Sequence, residues 1–257
     1  MTQVKPLRLV QITDCHLFAD VDTQSHGDIN PYQSLKSVLS MAARFAPDRV
    51  LLTGDLSSDL SRQSYLHLQG LWLASGVSAP LDIVPGNHDE PTLFEELFSR
   101  HMTWLDEPVV MGNWCLHGLN SQHEGTLGRV GEPQLSRLEQ HIMRRPDLFH
   151  LVAVHHHPKP CNSWLDNHPW TNSEDFLALL ERQQGIRLVL HGHVHADLRW
   201  QVGQTAILAC PSTCWQWQQS EYFSLADETA GLRLLELSAD GTFETRVERL
   251  DAASFWP

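Results

Sequence analysis

Five short segments carry side chains able to bind metal ions: Asp14-Cys15-His16, Gly54-Asp55, Gly86-Asn87-His88-Asp89, His155-His156-His157-Pro158 and Gly192-His193-Val194-His195. Carboxylates offer hard oxygen donors and imidazoles offer borderline nitrogens. Hydrolysis on two ions needs both kinds, plus one carboxylate shared between the ions. Residues i and i+2 of a strand point the same way. Asp14 with His16, and His193 with His195, have that spacing, so each pair can face one ion. Asp55 comes alone from a Gly-Asp turn, where the backbone comes close, and is the natural shared carboxylate. Asn87 adds an amide oxygen and His155 an imidazole. Three adjacent histidines cannot all face one ion, so His155 is read as the ligand, with His156, His157 and also His191 as supporting residues. The pattern predicts a two-metal hydrolase.

The elements that must position these donors are legible beside them. Each segment follows an apolar stretch: Leu9-Val10-Gln11-Ile12, Val50-Leu51-Leu52, Leu81-Asp82-Ile83-Val84, Leu151-Val152-Ala153-Val154 and Arg187-Leu188-Val189-Leu190. Donors repeated at the C-terminal ends of strands imply one shared site along a sheet edge. Strands are expected over 7–13, 49–53, 81–84, 114–119, 149–154 and 186–190. Helices are expected over 34–45, 61–75, 92–100, 132–143 and 172–183, with Ser61, Thr92 and Asn172 or Ser173 near their N-caps. Residues 158–170 hold three prolines and two tryptophans and read as a surface loop or lid. Residues 200–250 read as strands only (200–202, 205–208, 232–237 and 242–248), antiparallel, with turns at Gly203-Gln204 and Asp240-Gly241. This order predicts an α/β fold: a four-layer α/β/β/α sandwich of two mixed sheets flanked by helices, in a single domain over 1–257.

The 257 residues are 42% hydrophobic and 19% charged, as in a folded globular chain. The formal net charge of −13 and the lack of a Lys/Arg-rich run argue against a nucleic-acid partner. Two divalent ions beside Asp14 and Asp55 would still leave the site itself at about +2, so a phosphate substrate is compatible with the acidic chain. The odd cysteine count (Cys15, Cys115, Cys161, Cys210 and Cys214) and the lack of a CxxC pair suit a reducing cytoplasm. The first strand follows Met1 too closely for a signal peptide, and no apolar run approaches the ~18–20 residues that span a bilayer, so no membrane association is expected. His26, His67, His101, His117, His123, His141, His150 and His168 read as ordinary, mostly surface residues, and the Leu35/Val38/Leu39/Ala42 stripe as core.

Together the five segments resemble the calcineurin-like metallophosphoesterase superfamily, whose pattern runs D-x-H, GD, GNH[DE], H and GHxH. The stretches around Asp14 and Asp55, His155-His156-His157-Pro158, Trp164-Leu165-Asp166, Pro211-Ser212-Thr213-Cys214 and the tail from Gly231-Leu232-Arg233 to Asp240-Gly241-Thr242 are similar to the bacterial class III 3′,5′-cyclic-AMP phosphodiesterases. That resemblance implies hydrolysis of cyclic AMP to 5′-AMP by a hydroxide bridging two metal ions. It places Asp14, His16, Asp55 and His195 on the first ion, and Asp55, Asn87, His155 and His193 on the second. His88 is the implied acid for the leaving oxygen, and His16, Asp55, Asn87, His88 and His195 are the implied substrate contacts. Imidazole and carboxylate donors suit Fe, Mn, Zn or Co alike. The expected partner is a small cyclic nucleotide, the expected assembly a monomer or homodimer. The chain departs from its relatives at Cys15, between two donors, where a thiol could make activity redox-sensitive, and at Ala196-Asp197, which could alter substrate contacts. Rival readings fit less well. A protein Ser/Thr phosphatase needs an arginine after Gly54-Asp55, a lipid-A-pathway pyrophosphatase has arginine in place of His88, and a nuclease needs a basic groove. A non-catalytic relative would have lost ligands. The remaining alternative is a phosphodiesterase of broader specificity.

Overall fold

The computed structural model describes residues 5–97 and 102–255. Its donor-bearing apolar runs are strands buried on both faces. In the first sheet β1 (Leu7–Ile12), β2 (Arg49–Leu52), β3 (Leu81–Ile83) and β4 (Met102–Trp104) run parallel, while β11 (Gly231–Leu237) and β12 (Phe243–Arg249) extend it antiparallel from β1. In the second sheet β6 (Trp114–Gly118), β7 (Phe149–Ala153), β8 (Ile186–His191) and β10 (Thr205–Ala209) run parallel. β5 (Val109–Met111) and β9 (Arg199–Val202) form its antiparallel edges.

The two-residue period of a strand sorts the side chains into layers. Leu9 and Leu51 face inward and meet Leu116, Leu151, Leu188 and Leu208 between the sheets. Val10, Ile12, Val50 and Leu52 face outward, beneath α1 (Pro31–Arg44) and α2 (Arg62–Ala74). Val152, Val189 and Ile207 likewise face α4 (Glu132–Arg144) and α5 (Ser173–Arg182). Both faces of each central strand are therefore dry, which explains the nearly continuous apolar runs. The result is the expected four-layer α/β/β/α arrangement, completed by the short helices α3 (Pro91–Leu97) and α6 (Ala252–Phe255).

Some boundaries differ from expectation. α1 begins three residues earlier than the expected 34, because Pro31 occupies the first turn and Asn30 Oδ1 accepts from Gln33 N. Ser61 caps α2 as expected, accepting from Ser64 N. Asn172 precedes α5 without capping it; its Oδ1 accepts instead from Val130 N and Trp170 Nε1. The expected helix over 92–100 is observed as α3 to Leu97, and its last residues, like His101, lie outside the described residues. The closing strands are not one antiparallel region. They form two hairpins on different sheets, and β10 also pairs parallel with β8, because Ala206, Ile207 and Leu208 need burial on both faces. In the 158–170 segment a short 3₁₀ turn (Trp164–Asn167) puts Leu165 into a local apolar cluster. Trp170 is buried and stacks on Phe176 with ring centres 4.9 Å apart.

Candidate metal centre and active site

β1, β2, β3, β7 and β8 all deliver their C-terminal ends to the same edge of the sandwich. The loops leaving those ends carry all eight residues singled out from the sequence, as expected for a ligand crevice of parallel strands. Two donor sets result: Asp14 with His16 and His195, and Asp55 with His155 and His193, each with donor atoms within 4.8 Å of one another. Asn87 Oδ1 lies 3.2 Å from His155 Nε2 and so joins the second set.

The side chains converge for a different reason from the strand spacing. Asp14, His16, Asp55, His193 and His195 all have positive φ, between 44° and 68°. They lie in left-handed turns beyond the strands, a conformation uncommon for non-glycine residues and concentrated at functional sites. The turns are held to one another by Asp14 N–H donating to Gly54 O (2.9 Å), His16 N–H to Asp55 O (3.0 Å) and Gly192 N–H to His155 O (3.1 Å). The motif glycines permit this close approach: a Cβ on Gly86 would overlap the Asp55 carboxylate and backbone, and one on Gly192 would overlap Thr13 Oγ1.

Hydrogen bonds set the direction of each donor. Asp55 Oδ1 accepts from His88 N–H at 2.8 Å, leaving Oδ2 3.4 Å from His155 Nε2 and 3.8 Å from His16 Nε2. Asp14 Oδ2 accepts from Thr13 Oγ1 (2.6 Å) and His193 N–H (3.1 Å), while Oδ1 faces His195 Nε2 at 3.2 Å. His155 Nδ1 lies 2.7 Å from Thr53 O, and His195 Nδ1 2.8 Å from Trp215 O. A carbonyl can only accept, so both Nδ1 atoms carry the proton and both Nε2 atoms point into the site.

Burial works against the Asp14 and Asp55 charges, but His195 beside Asp14 and His155 beside Asp55 hold both carboxyls below their ordinary range. Burial lowers His16 to about 3, so that ring is neutral. Burial also disfavours charge on His155, yet the Asp55 carboxylate outweighs it and raises the ring to about 9.

His156 and His157 are buried and point elsewhere. His156 Nδ1 is 2.7 Å from Ser121 Oγ, and His157 Nε2 is 3.3 Å from Asp166 Oδ1. His191 Nδ1 meets Gly192 O at 3.0 Å. His16, Asp55, Asn87, His88, His193 and His195 line an open cleft whose opposite wall includes Thr126, Trp164, Leu165, His168 and Trp217. Cys15 points away into the core, fully buried, and burial raises its thiol well above the ordinary range. That environment argues against a redox-sensitive role for this thiol. Asp197 is held by Arg233.

Several supporting roles were not visible in the sequence, although Asp89 and Ser212 stand in segments already singled out there. Asp89 is buried and accepts from Leu56 N–H (2.9 Å), Gly86 N–H (2.8 Å) and Tyr65 Oη, tying the Asp55 turn to the Asn87 turn. Gln122 Nε2 donates to the carbonyls of Gly86 and Asp89. Ser212 Oγ donates to Asp14 O at 2.8 Å. Trp215 stacks on His16 and Trp217 on His195, each with ring centres 5.1 Å apart. His26 is exposed, as expected, and packs edge-on against both tryptophans. Only the closeness of Trp215 and Trp217 in the chain could have hinted at this wall.

Comparison with known proteins agrees with this geometry. Residues 7–197 match the family model for calcineurin-like phosphoesterases. A 3′,5′-cyclic-nucleotide phosphodiesterase of Nostoc sp. is 34% identical, over 97% of this chain and 95% of its own. The 3′,5′-cyclic adenosine monophosphate phosphodiesterases CpdA of Vibrio vulnificus (36% identical; 98% and 93% covered) and Escherichia coli (34%; 98% and 92%) are similar along nearly their whole length. A dimetal phosphatase from Danio rerio, 14% identical, superimposes over 96% of this chain and 100% of its own with a TM-score of 0.66, which speaks for the fold. The chain thus belongs to the calcineurin-like phosphoesterase family, metal-dependent hydrolases with a binuclear divalent centre, within its branch of bacterial cyclic-nucleotide phosphodiesterases.

Proposed function

We propose that this chain hydrolyses 3′,5′-cyclic AMP to 5′-AMP, with Asp14, His16, Asp55 and His195 holding one metal ion and Asp55, Asn87, His155 and His193 the other. The observation that carries this reading is the Asp55 carboxylate. Its Oδ1 is fixed by His88 N–H, and its Oδ2 faces His16 of one donor set and His155 of the other. The donors fit cations. Nε2 of His195 and of His155 face carboxylate oxygens at 3.2 and 3.4 Å, a repulsive contact unless a proton or an ion lies between. His193 Nδ1 lies 3.3 Å from His155 Nε2, a further contact between donor atoms that a proton or an ion would relieve. Two bound ions supply Lewis acidity toward phosphoryl oxygens and lower the pKa of water. Fe, Mn, Zn and Co all suit the donors.

The chain's own residues supply the rest. His88 stands exposed at the cleft, its ring centre 5.4 Å from that of His16, and donates to the 3′ ester oxygen as its bond to phosphorus breaks. The Asp55 contact to its backbone fixes where it starts. The aromatic wall of Trp164 and Trp217 offers ring faces to a base. The named activities of the relatives support cyclic AMP as substrate. Stacking accepts any base, which favours as second reading a phosphodiesterase acting on other cyclic nucleotides or small phosphate diesters. The five cysteines are unpaired, which fits a reducing cytoplasm, and no helix among the described residues is long and apolar enough to cross a membrane.

The test is a kinetic panel of cyclic AMP, cyclic GMP, a 2′,3′-cyclic nucleotide and a simple bis-ester, each with Mn²⁺, Fe²⁺, Zn²⁺ and Co²⁺. The highest kcat/KM is expected for cyclic AMP. Comparable values across the cyclic nucleotides would establish the second reading, and preference for the bis-ester would defeat both.

A further inference from the structure

A second buried cluster of metal-binding side chains lies on the outer face of the second sheet. Cys115 and His117 occupy alternate positions of β6, and His150 on β7 is the direct partner of Cys115 in the parallel register. Their donor atoms lie within 4.8 Å of one another, and all three residues are buried, at 3%, 4% and 0% exposure. His150 stands five residues before His155, roughly 16 Å along the strand from the active-site edge. The cluster is therefore separate from the active site.

We propose that Cys115, His117 and His150 form a mononuclear site for a borderline divalent cation of the zinc class. Two imidazole nitrogens and one thiolate are a donor set typical of such ions. The orientation of His150 is that of a ligand: its Nε2 lies 3.1 Å from the carbonyl oxygen of Arg145, so Nε2 carries the proton and Nδ1 presents its lone pair to the cluster. His117 Nε2 lies 2.9 Å from that Nδ1. In the ion-free state His117 Nε2–H donates to His150 Nδ1; on binding, that proton moves to His117 Nδ1, the ring stays neutral, and the ion takes the place between the two nitrogens. Burial lowers His117 to about 3 and also lowers His150, so both rings are neutral and free to coordinate. Burial raises the Cys115 thiol to about 11. Binding therefore displaces its S–H proton to solvent as the sulfur–metal bond forms, with no change of oxidation state.

Of the three, His117 borders a cavity of about 360 Å³, with His141, Asn120, Gln134, Asp106 and Glu107 among its walls. Three protein donors with a fourth position toward this cavity would leave room for water or a small anionic ligand. The other cysteine-containing cluster among the described residues, His157, Cys161 and Asp166, is different. Asp166 there already accepts from Cys161 N–H and Asn162 N–H, which accounts for it as a loop clamp.

Cobalt separates the sites, because the active-site donors include no sulfur. Co²⁺ is titrated into chelator-treated full-length protein, and the near-ultraviolet thiolate-to-cobalt charge-transfer band is recorded with the stoichiometry. Wild type and Cys161→Ser are expected to show the band. Cys115→Ser and His117→Gln are expected to lose it and to bind one cobalt fewer per chain, with unchanged circular dichroism and metal-dependent hydrolysis. A wild-type protein without the band, or a band that survives Cys115→Ser or disappears in Cys161→Ser, would overturn the proposal. Because the readout is the sulfur band, its failure is distinct from failure of the proposed hydrolytic function.

Discussion

Gly86→Ala tests the fit between the loops without changing a single donor. A Cβ at Gly86 would lie 2.8 Å from Asp55 Cγ, where ordinary contact begins near 3.4 Å, and closer still to Asp55 N and Oδ1. The obstacle is backbone and a carboxylate fixed on both sides, so neither can rotate away. The closest of these contacts sets the requirement, so the carboxylate or the 86–89 turn must retreat by about 1 Å or more. That shift stretches the 2.8 Å bond from His88 N–H to Asp55 Oδ1 and the 2.8 Å bond from Gly86 N–H to Asp89 Oδ2. It moves the shared carboxylate, the amide of Asn87 and the His88 acid together. A misplacement approaching 1 Å in a catalytic constellation costs on the order of 100-fold. A loss of about 10–100-fold in kcat/KM is expected, equivalent to ~1.4–2.7 kcal/mol of transition-state stabilisation. The assay is steady-state hydrolysis of cyclic AMP with the metal content of the same preparation measured in parallel. Gly70→Ala serves as control, since a Cβ there meets nothing within 4 Å. A Gly86→Ala enzyme with wild-type kcat/KM and metal content would refute the claim that close approach of this turn sets the position of Asp55.

Other perturbations separate binding from chemistry. His88→Ala is expected to lower kcat by about 10²–10⁴-fold while both active-site ions remain, checked by kinetics and elemental analysis; full activity would exclude His88 as the acid. His155 sits near 9 in the ion-free protein, whereas His16 near 3 is already neutral, and Asp14 and Asp55 are already ionised. Filling the active site of Cys115→Ser protein at pH 7 should then release about one proton from His155, beyond any proton given up by bound water, and this His155 contribution makes affinity rise with pH up to about 9. Calorimetry in buffers of different ionisation enthalpy reads this directly, and metal uptake with no proton release would contradict the arrangement around His155. Cys15 should resist alkylation in the native enzyme and react only on unfolding; rapid modification of Cys15 with loss of activity would restore the redox-sensitive reading.

Much of the fold was legible because each donor follows an apolar run that is buried on both faces. Val10 and Leu9 face different layers, yet both must be apolar, so the run marks the strand even without alternation. β4 and β5 were missed because, unlike the equally short β3, neither is followed by a donor-bearing turn that marks it. The donors themselves were legible as residue types at fixed spacings, but the geometry behind the spacing was not. Asp14 and His16 face one point because both adopt positive φ beyond β1, not because a strand alternates. The support of Asp89, Gln122 and Ser212, and the stacking of Trp215 and Trp217, depend on chain separations that no local pattern records. His117 and His150 looked like ordinary surface residues for the same reason. Each is polar in its own strand, and only the pairing of β6 with β7 brings them together in a buried cluster with Cys115.

In the proposed function, bound metal in this cleft makes the chain a cyclic-nucleotide phosphodiesterase. The most direct measurement is chromatographic detection of 5′-AMP from 3′,5′-cyclic AMP by purified protein, before chelation, after chelation and after return of the ion. Turnover that disappears on chelation, returns with Mn²⁺ or Fe²⁺ and is absent in Asp55→Asn is expected. Turnover indifferent to chelation, or none under any metal, would contradict it.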